Sequence, residues 1–176
     1  MSAHLPKPMR AFAHALTGGA CLLLLAGAAL AQLSDPADTR WEEAPVQAPP
    51  AYDPARLIAL EMPRASSIRA GIDPQTIQVG TDGVIRYVVV MRGPAAQTAS
   101  FEGLRCATGE YRVYARRNSD EAWADTTDEP WRPVFPNAPA PYVKDLARSA
   151  FCEGKTPVGS ARAIVTALRR PLGGGQ

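Results

Sequence analysis

The run Val84–Arg92 constrains this chain more than any other segment. Val84, Ile85, Tyr87, Val88, Val89, Val90 and Met91 are β-branched, aromatic or apolar, and they fall on both parities of the run. Side chains alternate between the two sides of a strand, so a run apolar on both sides belongs in the middle of a sheet. Gly80-Thr81-Asp82-Gly83 supplies a turn before it, with an Asp-Gly pair, and Gly93-Pro94 ends it.

Shorter β-like segments flank this strand. Arg56–Met62 is an apolar run ended by Pro63, Ile68–Ile72 stops at Asp73-Pro74, and Thr76–Val79 alternates. Thr98–Ala107, a Thr108-Gly109 turn and Glu110–Arg116 read as a hairpin. In its second strand Tyr111, Val113 and Ala115 are expected to face the core, and Arg112, Tyr114 and Arg116 the other way. Short strands joined by tight turns predict an antiparallel meander. From Asn118 to Asn137 the chain is polar and then Pro-rich. Pro130, Pro133, Pro136 and Pro139 recur at the repeat of a polyproline II helix, predicting a connection laid across the sheet and anchored by Trp131 and Phe135.

Two amphipathic helices are expected to close the domain. Val143, Leu146, Ala147 and Ala150 keep the i, i+3, i+4, i+7 rule behind Pro141, with Gly154 as a C-terminal cap. Ala161, Ile164, Val165 and Leu168 repeat the rule. Ser160 or Thr156-Pro157 starts this helix, and Pro171 stops it before a frayed tail, 171–176. The fold class expected for residues 56–170 is α+β: an antiparallel sheet of about four to six strands with two C-terminal helices packed on it.

The N-terminus has the three-part shape of a secretory signal. Lys7 and Arg10 precede an apolar stretch that culminates in Cys21–Leu30, and Ala29-Leu30-Ala31 offers a cleavage site before Gln32. A retained anchor and a lipoprotein signal are the alternatives. His14, Thr17 and Gly18-Gly19 weaken the first, and the early position of Cys21 weakens the second. Loss of residues 1–31 removes both histidines. It also takes Lys7 and Arg10 from the nineteen basic groups, leaving as many positive as the seventeen acidic groups. A neutral chain lacks the electrostatic footprint for nucleic acid, and no stable membrane span is expected after cleavage. Residues 32–55, with Pro36, Pro45, Pro49, Pro50 and Pro54, form an extended Pro- and Ala-rich arm. Trp41 interrupts it and is expected to dock on its own domain.

Cys106 and Cys152 then remain. An even pair in an oxidising compartment predicts one disulfide, pinning the end of the first helix to a strand. A redox site would need a CxxC pair or a histidine, and two sulfurs alone leave zinc short of ligands.

The blocks Trp41-Glu42-Glu43, Gly71-Ile72-Asp73-Pro74, Gly80-x-Asp82-Gly83-Val84-Ile85-Arg86-Tyr87, Glu102-Gly103-Leu104-Arg105-Cys106-Ala107-Thr108-x-Glu110-Tyr111, Trp131-Arg132-Pro133 and Phe151-Cys152 resemble, in order and spacing, the cryptic neisserial protein-like family of small exported bacterial proteins. The resemblance spans about residues 41–170 and implies a periplasmic home. It supports pairing the two cysteines, and it brings neither an activity nor catalytic residues.

Without histidine, Ser-His and Cys-His nucleophile systems are excluded from the mature chain. A carboxylate-dependent hydrolase acting on envelope material would rest on Glu102 and Glu110; the competing and preferred expectation is that these acids form cross-strand ion pairs with the neighbouring Arg105 and Arg112. The acidic loop Asp120, Glu121, Asp125, Asp128 and Glu129 lacks a calcium-loop pattern, and no Gly-rich phosphate loop is present; no metal, cofactor or catalytic residue is expected. The favoured expectation is a periplasmic, non-enzymatic binding or accessory module. Its partner is an envelope protein or ligand that the residues do not name. The candidate surface is Arg86, Arg112, Tyr114 and Arg116 on one sheet face, with Trp41 and Trp131, since arginine and aromatic side chains dominate binding hot spots.

Overall fold

The structure is a computed structural model that describes residues 41–126, 128–136 and 140–170. The proposed leader, the first part of the arm (32–40), Pro139 and the tail 171–176 lie outside the described residues. Contacts divide the chain after Thr39, and every described residue belongs to the second unit.

The run Val84–Arg92 forms one strand over its whole length, and Val84 to Val90 are all buried. In chain order the strands are β1 (Ile58–Leu60), β2 (Arg69–Ile72), β3 (Gln78–Val79), β4 (Val84–Arg92), β5 (Gln97–Arg105), β6 (Glu110–Asn118), β7 (Ala124–Asp125) and β8 (Arg132–Pro133). They make an antiparallel sheet of order β1-β2-β4-β5-β6-β7. Both β2 and β3 lie along one edge of β4, and both β7 and β8 along the far edge of β6. Eight strands exceed the four to six expected. The surplus consists of the two-residue bridges β7 and β8, too short for alternation to signal them, whereas β3 lies within the alternating segment Thr76–Val79.

The segment after β6 is therefore not a free connection. It returns twice to the edge of β6, through β7 and through β8, which itself contains Pro133 of the expected polyproline repeat.

The helices are α1 (Pro141–Leu146), continued by a wider π turn at Ala147–Phe151, and α2 (Ala161–Leu168). Pro141 stands at the start of α1, and Ser160 caps α2 by accepting from the Ala163 N–H. Val143, Leu146, Ala147 and Ala150 are buried as their spacing predicts, and the π turn adds Phe151. Gly154 does not cap a helix. At φ +63° it turns a small hairpin between β9 (Cys152–Glu153) and β10 (Thr156–Pro157). The Cys106–Cys152 disulfide, with Cα atoms 5.7 Å apart, ties the end of β5 to this hairpin. No helix among the described residues is long and apolar enough to cross a membrane.

The sheet carries two cores. On one face Ile85, Tyr87, Val89, Leu104, Tyr111 and Val113 pack under α1 and α2. On the other, Val88, Val90, Phe101, Tyr114 and Ala115 pack under Val46, Tyr52, Leu57, Trp123 and Trp131. Expected alternation in β6 fails after Val113 because a bulge opposite Phe101/Glu102 inserts Tyr114 into the ladder. Tyr114 and Ala115 consequently share the second core, and Arg116 crosses to the helix face, opposite Ser100.

Candidate functional site

The site is built where the arm meets the turn before β4. Asp82 leads this turn, and its carboxylate accepts from the Val84 N–H (3.1 Å) one step into the strand. Arg86, four residues on, reaches back and donates to Asp82 through Nη1 (3.2 Å) and Nη2 (2.6 Å). Burial pushes the Asp82 carboxyl up, but Arg86 and the N–H groups of Val84 and Ala44 outweigh it and hold the group below its ordinary range.

Register sets Arg86, Gly103 and Arg112 side by side on β4, β5 and β6. The middle position has to be glycine. A Cβ on Gly103 would stand 2.5 Å from the Tyr114 hydroxyl, so the missing side chain is the space in which that ring lies. Tyr114 rests between the two guanidiniums, 5.5 and 5.6 Å from its centroid. Burial and the neighbouring Glu43 push its phenol far above the usual range, so it stays a donor.

One carboxylate fills the space that these groups surround, and it comes from the arm. Glu43 Oε1 accepts from Arg86 Nη2 (3.1 Å) and from the Tyr114 hydroxyl, and Oε2 accepts from Arg112 Nη1 (3.1 Å). The side chains of Arg86, Arg112 and Glu43 are 8%, 19% and 17% exposed, so the pairs are largely shielded from water. Alongside, the Trp41 indole N–H donates to the Asp82 carbonyl (2.9 Å), and the Ala44 N–H donates to the Asp82 carboxylate (3.0 Å). Arg105 stacks 3.7 Å over the Trp41 ring, and Trp131 meets that ring edge-on at 5.9 Å. Asp73, in the turn before β3, holds the far end of the arm by accepting from the Asp53 N–H and from Arg56.

Of the residues expected to form a surface, Arg86, Arg112, Tyr114, Trp41 and Trp131 come together and Arg116 does not. Arg116 sits exposed on the other face, paired with Glu129. The expected face is also not bare, because the arm covers it. Trp41 docks on its own domain. Glu43, Asp82 and Arg105 complete the site without belonging to the expected surface. The signal at hand was a Trp-Glu-Glu triplet inside an otherwise Pro- and Ala-rich arm.

The two acids of the hydrolase alternative are separated by the sheet itself. Glu110 pairs with Arg105 in register, 3.8 Å away across the hairpin. Glu102 points to the helix face, where it is buried and accepts from the Ser100 hydroxyl (2.7 Å) and the Tyr142 hydroxyl (2.8 Å). Burial pushes its carboxyl up, against the pull of those hydrogen bonds.

An open cleft of about 660 Å³ lies elsewhere, floored by the disulfide and lined by Leu104, Phe135, Ala147, Arg148 and Lys155. Among the described residues, no cluster of three or more His, Cys, Asp or Glu is placed to hold a metal ion.

Compared with known proteins, the chain matches the model of the CNP1-like family over residues 36–169. No curated protein and no solved structure matches it.

Proposed function

The chain belongs to the CNP1-like family, and on that footing we propose that it is an exported, periplasmic module of the cell envelope that binds a partner and catalyses nothing. One observation carries the reading. The most elaborate polar arrangement among the described residues, Arg86, Arg112 and Tyr114 beside Trp41 and Trp131, gathers the side chains that dominate recognition surfaces around a single carboxylate. It includes no group poised as a nucleophile or a general base. The disulfide supports an oxidising compartment. The leader-like N-terminus and the resemblance to cryptic neisserial exported proteins support the same address.

Hydrolysis by a carboxylate pair would need both acids around one bond. Glu102 and Glu110 stand on opposite faces of the sheet, and each already has its own partners.

Affinity capture from envelope extract tests the reading, with Trp131→Ala as the matched variant. A component retained by the wild type and lost by the variant is the expected result. Equal retention by both would overturn the surface assignment. Release of sugars or peptides from envelope material, abolished by Glu102→Gln, would overturn the non-enzymatic reading.

A further inference from the structure

The segment Trp41–Ala44 has no strand or helix of its own, yet it is held as a bound peptide is held. An indole N–H meets a carbonyl, a backbone N–H meets a carboxylate, and a carboxylate meets two guanidiniums and a phenol. We propose that Asp82, Arg86, Arg112 and Tyr114, with Arg105 and Trp131 at the rim, form a binding site for an acidic peptide carrying an aromatic residue two positions before a glutamate, and that Trp41-Glu42-Glu43 occupies this site in cis. The proposal rests on the reading of the protein as a binding module and names the chemical class of its ligand.

The receptor is built by the sheet, independently of the arm. Asp82 is fixed by Val84 and Arg86, both on its own turn and strand. Two glycines are required by the receptor atoms alone. A Cβ on Gly80 would lie 2.2 Å from the Asp82 carboxylate and 2.8 Å from Arg86 Nη1, and one on Gly103 would meet Tyr114.

Charge then dictates the ligand. Arg86 and Arg112 face Asp82 and Glu43, so removing Glu43 leaves one cation in excess at the site. An uncompensated guanidinium calls for an anion, and its planar fork selects a carboxylate over a simple halide. Donors are also in surplus: the Nε–H groups of Arg86, Arg105 and Arg112 have no hydrogen-bond partner among the described residues. The aromatic requirement comes from the gap between Arg105 and Trp131 that the Trp41 ring fills. Trp41 and Glu43, two positions apart, both reach the receptor, which fixes the spacing of aromatic to glutamate. Beyond Ala44 the arm is held separately, through Val46, Tyr52 and the Asp53–Asp73 hydrogen bond. The short segment therefore has its own anchors and can exchange while the rest of the arm stays in place.

The test uses the full chain carrying Trp41→Ala and Glu43→Ala, titrated with a labelled, end-blocked synthetic peptide of residues 41–46 and read by fluorescence anisotropy. Saturable binding to the variant is expected, about tenfold or more tighter than to the wild type, whose own segment competes at a roughly millimolar effective concentration. Placing Gln at the second Glu of the peptide, or Arg112→Gln in the protein, should weaken binding about tenfold or more. No saturable binding to the folded variant, or equal binding of the Glu and Gln peptides, overturns the proposal. Should circular dichroism show the double variant unfolded, Glu43→Gln keeps the shape of the side chain and takes the same titration, and the same two results overturn the proposal there. An envelope component captured through Trp131 while the peptide fails to bind overturns the ligand class and leaves the binding module standing. Peptide binding with nothing captured upholds the site and counts against the envelope reading.

Discussion

On one face of β4, β5 and β6, Tyr87, Leu104, Val113 and their neighbours meet α1 and α2 across an apolar layer tied down by a disulfide. On the other, Val88, Phe101 and Tyr114 meet an arm without regular structure, held at its two ends by Asp82 and Asp73. The first closure is non-directional and grows with the apolar area covered. The second adds to its own apolar core a few directional, charge-assisted contacts, each of which is made or lost whole. A helix face can therefore shift and repack, whereas the arm face has one register, set by where Asp82, Arg86, Arg112 and Asp73 stand.

The largest break in this comparison is on the helix side. The disulfide closes a loop spanning 46 residues, and replacing Cys106 and Cys152 together by Ser should lower stability by about 2–5 kcal/mol in urea unfolding. An unchanged midpoint would show that apolar packing alone closes that face.

A smaller break falls on the arm side. Gly103→Ala places a methyl 2.5 Å from the Tyr114 hydroxyl, so the ring has to leave its seat between the arginines. The expected cost is about 1–3 kcal/mol, together with a red shift of tryptophan emission as Trp131 loses the ring beside it and Glu43 of the Trp41 segment loses the Tyr114 hydroxyl. Loss of stability without any change in emission would mean that the ring moves while the arm stays seated, and the two would then not be coupled.

The central strand, the disulfide, the hairpin of β5 and β6, and both helices were legible because each leaves a local pattern: apolar residues on both parities, an even cysteine pair, a turn between alternating runs, a 3.6-residue period. Three things were not. Strands of two residues carry no period of their own, so β7 and β8 leave no trace in the sequence. The bulge at Tyr114 is a property of the ladder with β5, and a reading of β6 alone sends Ala115 and Arg116 to the wrong faces. The partner of Arg86 and Arg112 lies 43 and 69 residues away in a Pro-rich arm. Such a pairing is made by tertiary closure, and nothing in the spacing of the charges announces it. Alternation within β4 and β6 read singly groups Arg86 and Arg112 with Arg116 on one sheet face, and the bulge then takes Arg116 out of the group.

The smallest effect separates the two faces by the sign of their response to pH. Asp82 and Asp73 are held below the ordinary carboxylate range in the folded protein. They favour the unfolded chain only in acid, and the stability they contribute is lost as pH falls through their folded values. Glu102 behaves oppositely. Burial among Tyr87, Tyr142 and Tyr111 raises it, despite hydrogen bonds from Ser100 and Tyr142 and the positive field of Arg116. The unfolded chain therefore releases the Glu102 proton first, and the folded state loses stability as pH rises from the ordinary carboxylate range through the raised value. Glu102→Gln keeps an oxygen to accept from Ser100 and Tyr142 and has no proton to lose. Measured from about pH 4 to about pH 8, the stability difference between variant and wild type should move steadily in the variant's favour. A difference that stays constant over this range would mean that the Glu102 carboxyl titrates alike in the folded and unfolded chain, unshifted by its burial. The helix face would then be as indifferent to pH as its apolar packing, and the acid sensitivity of the arm face would stand alone.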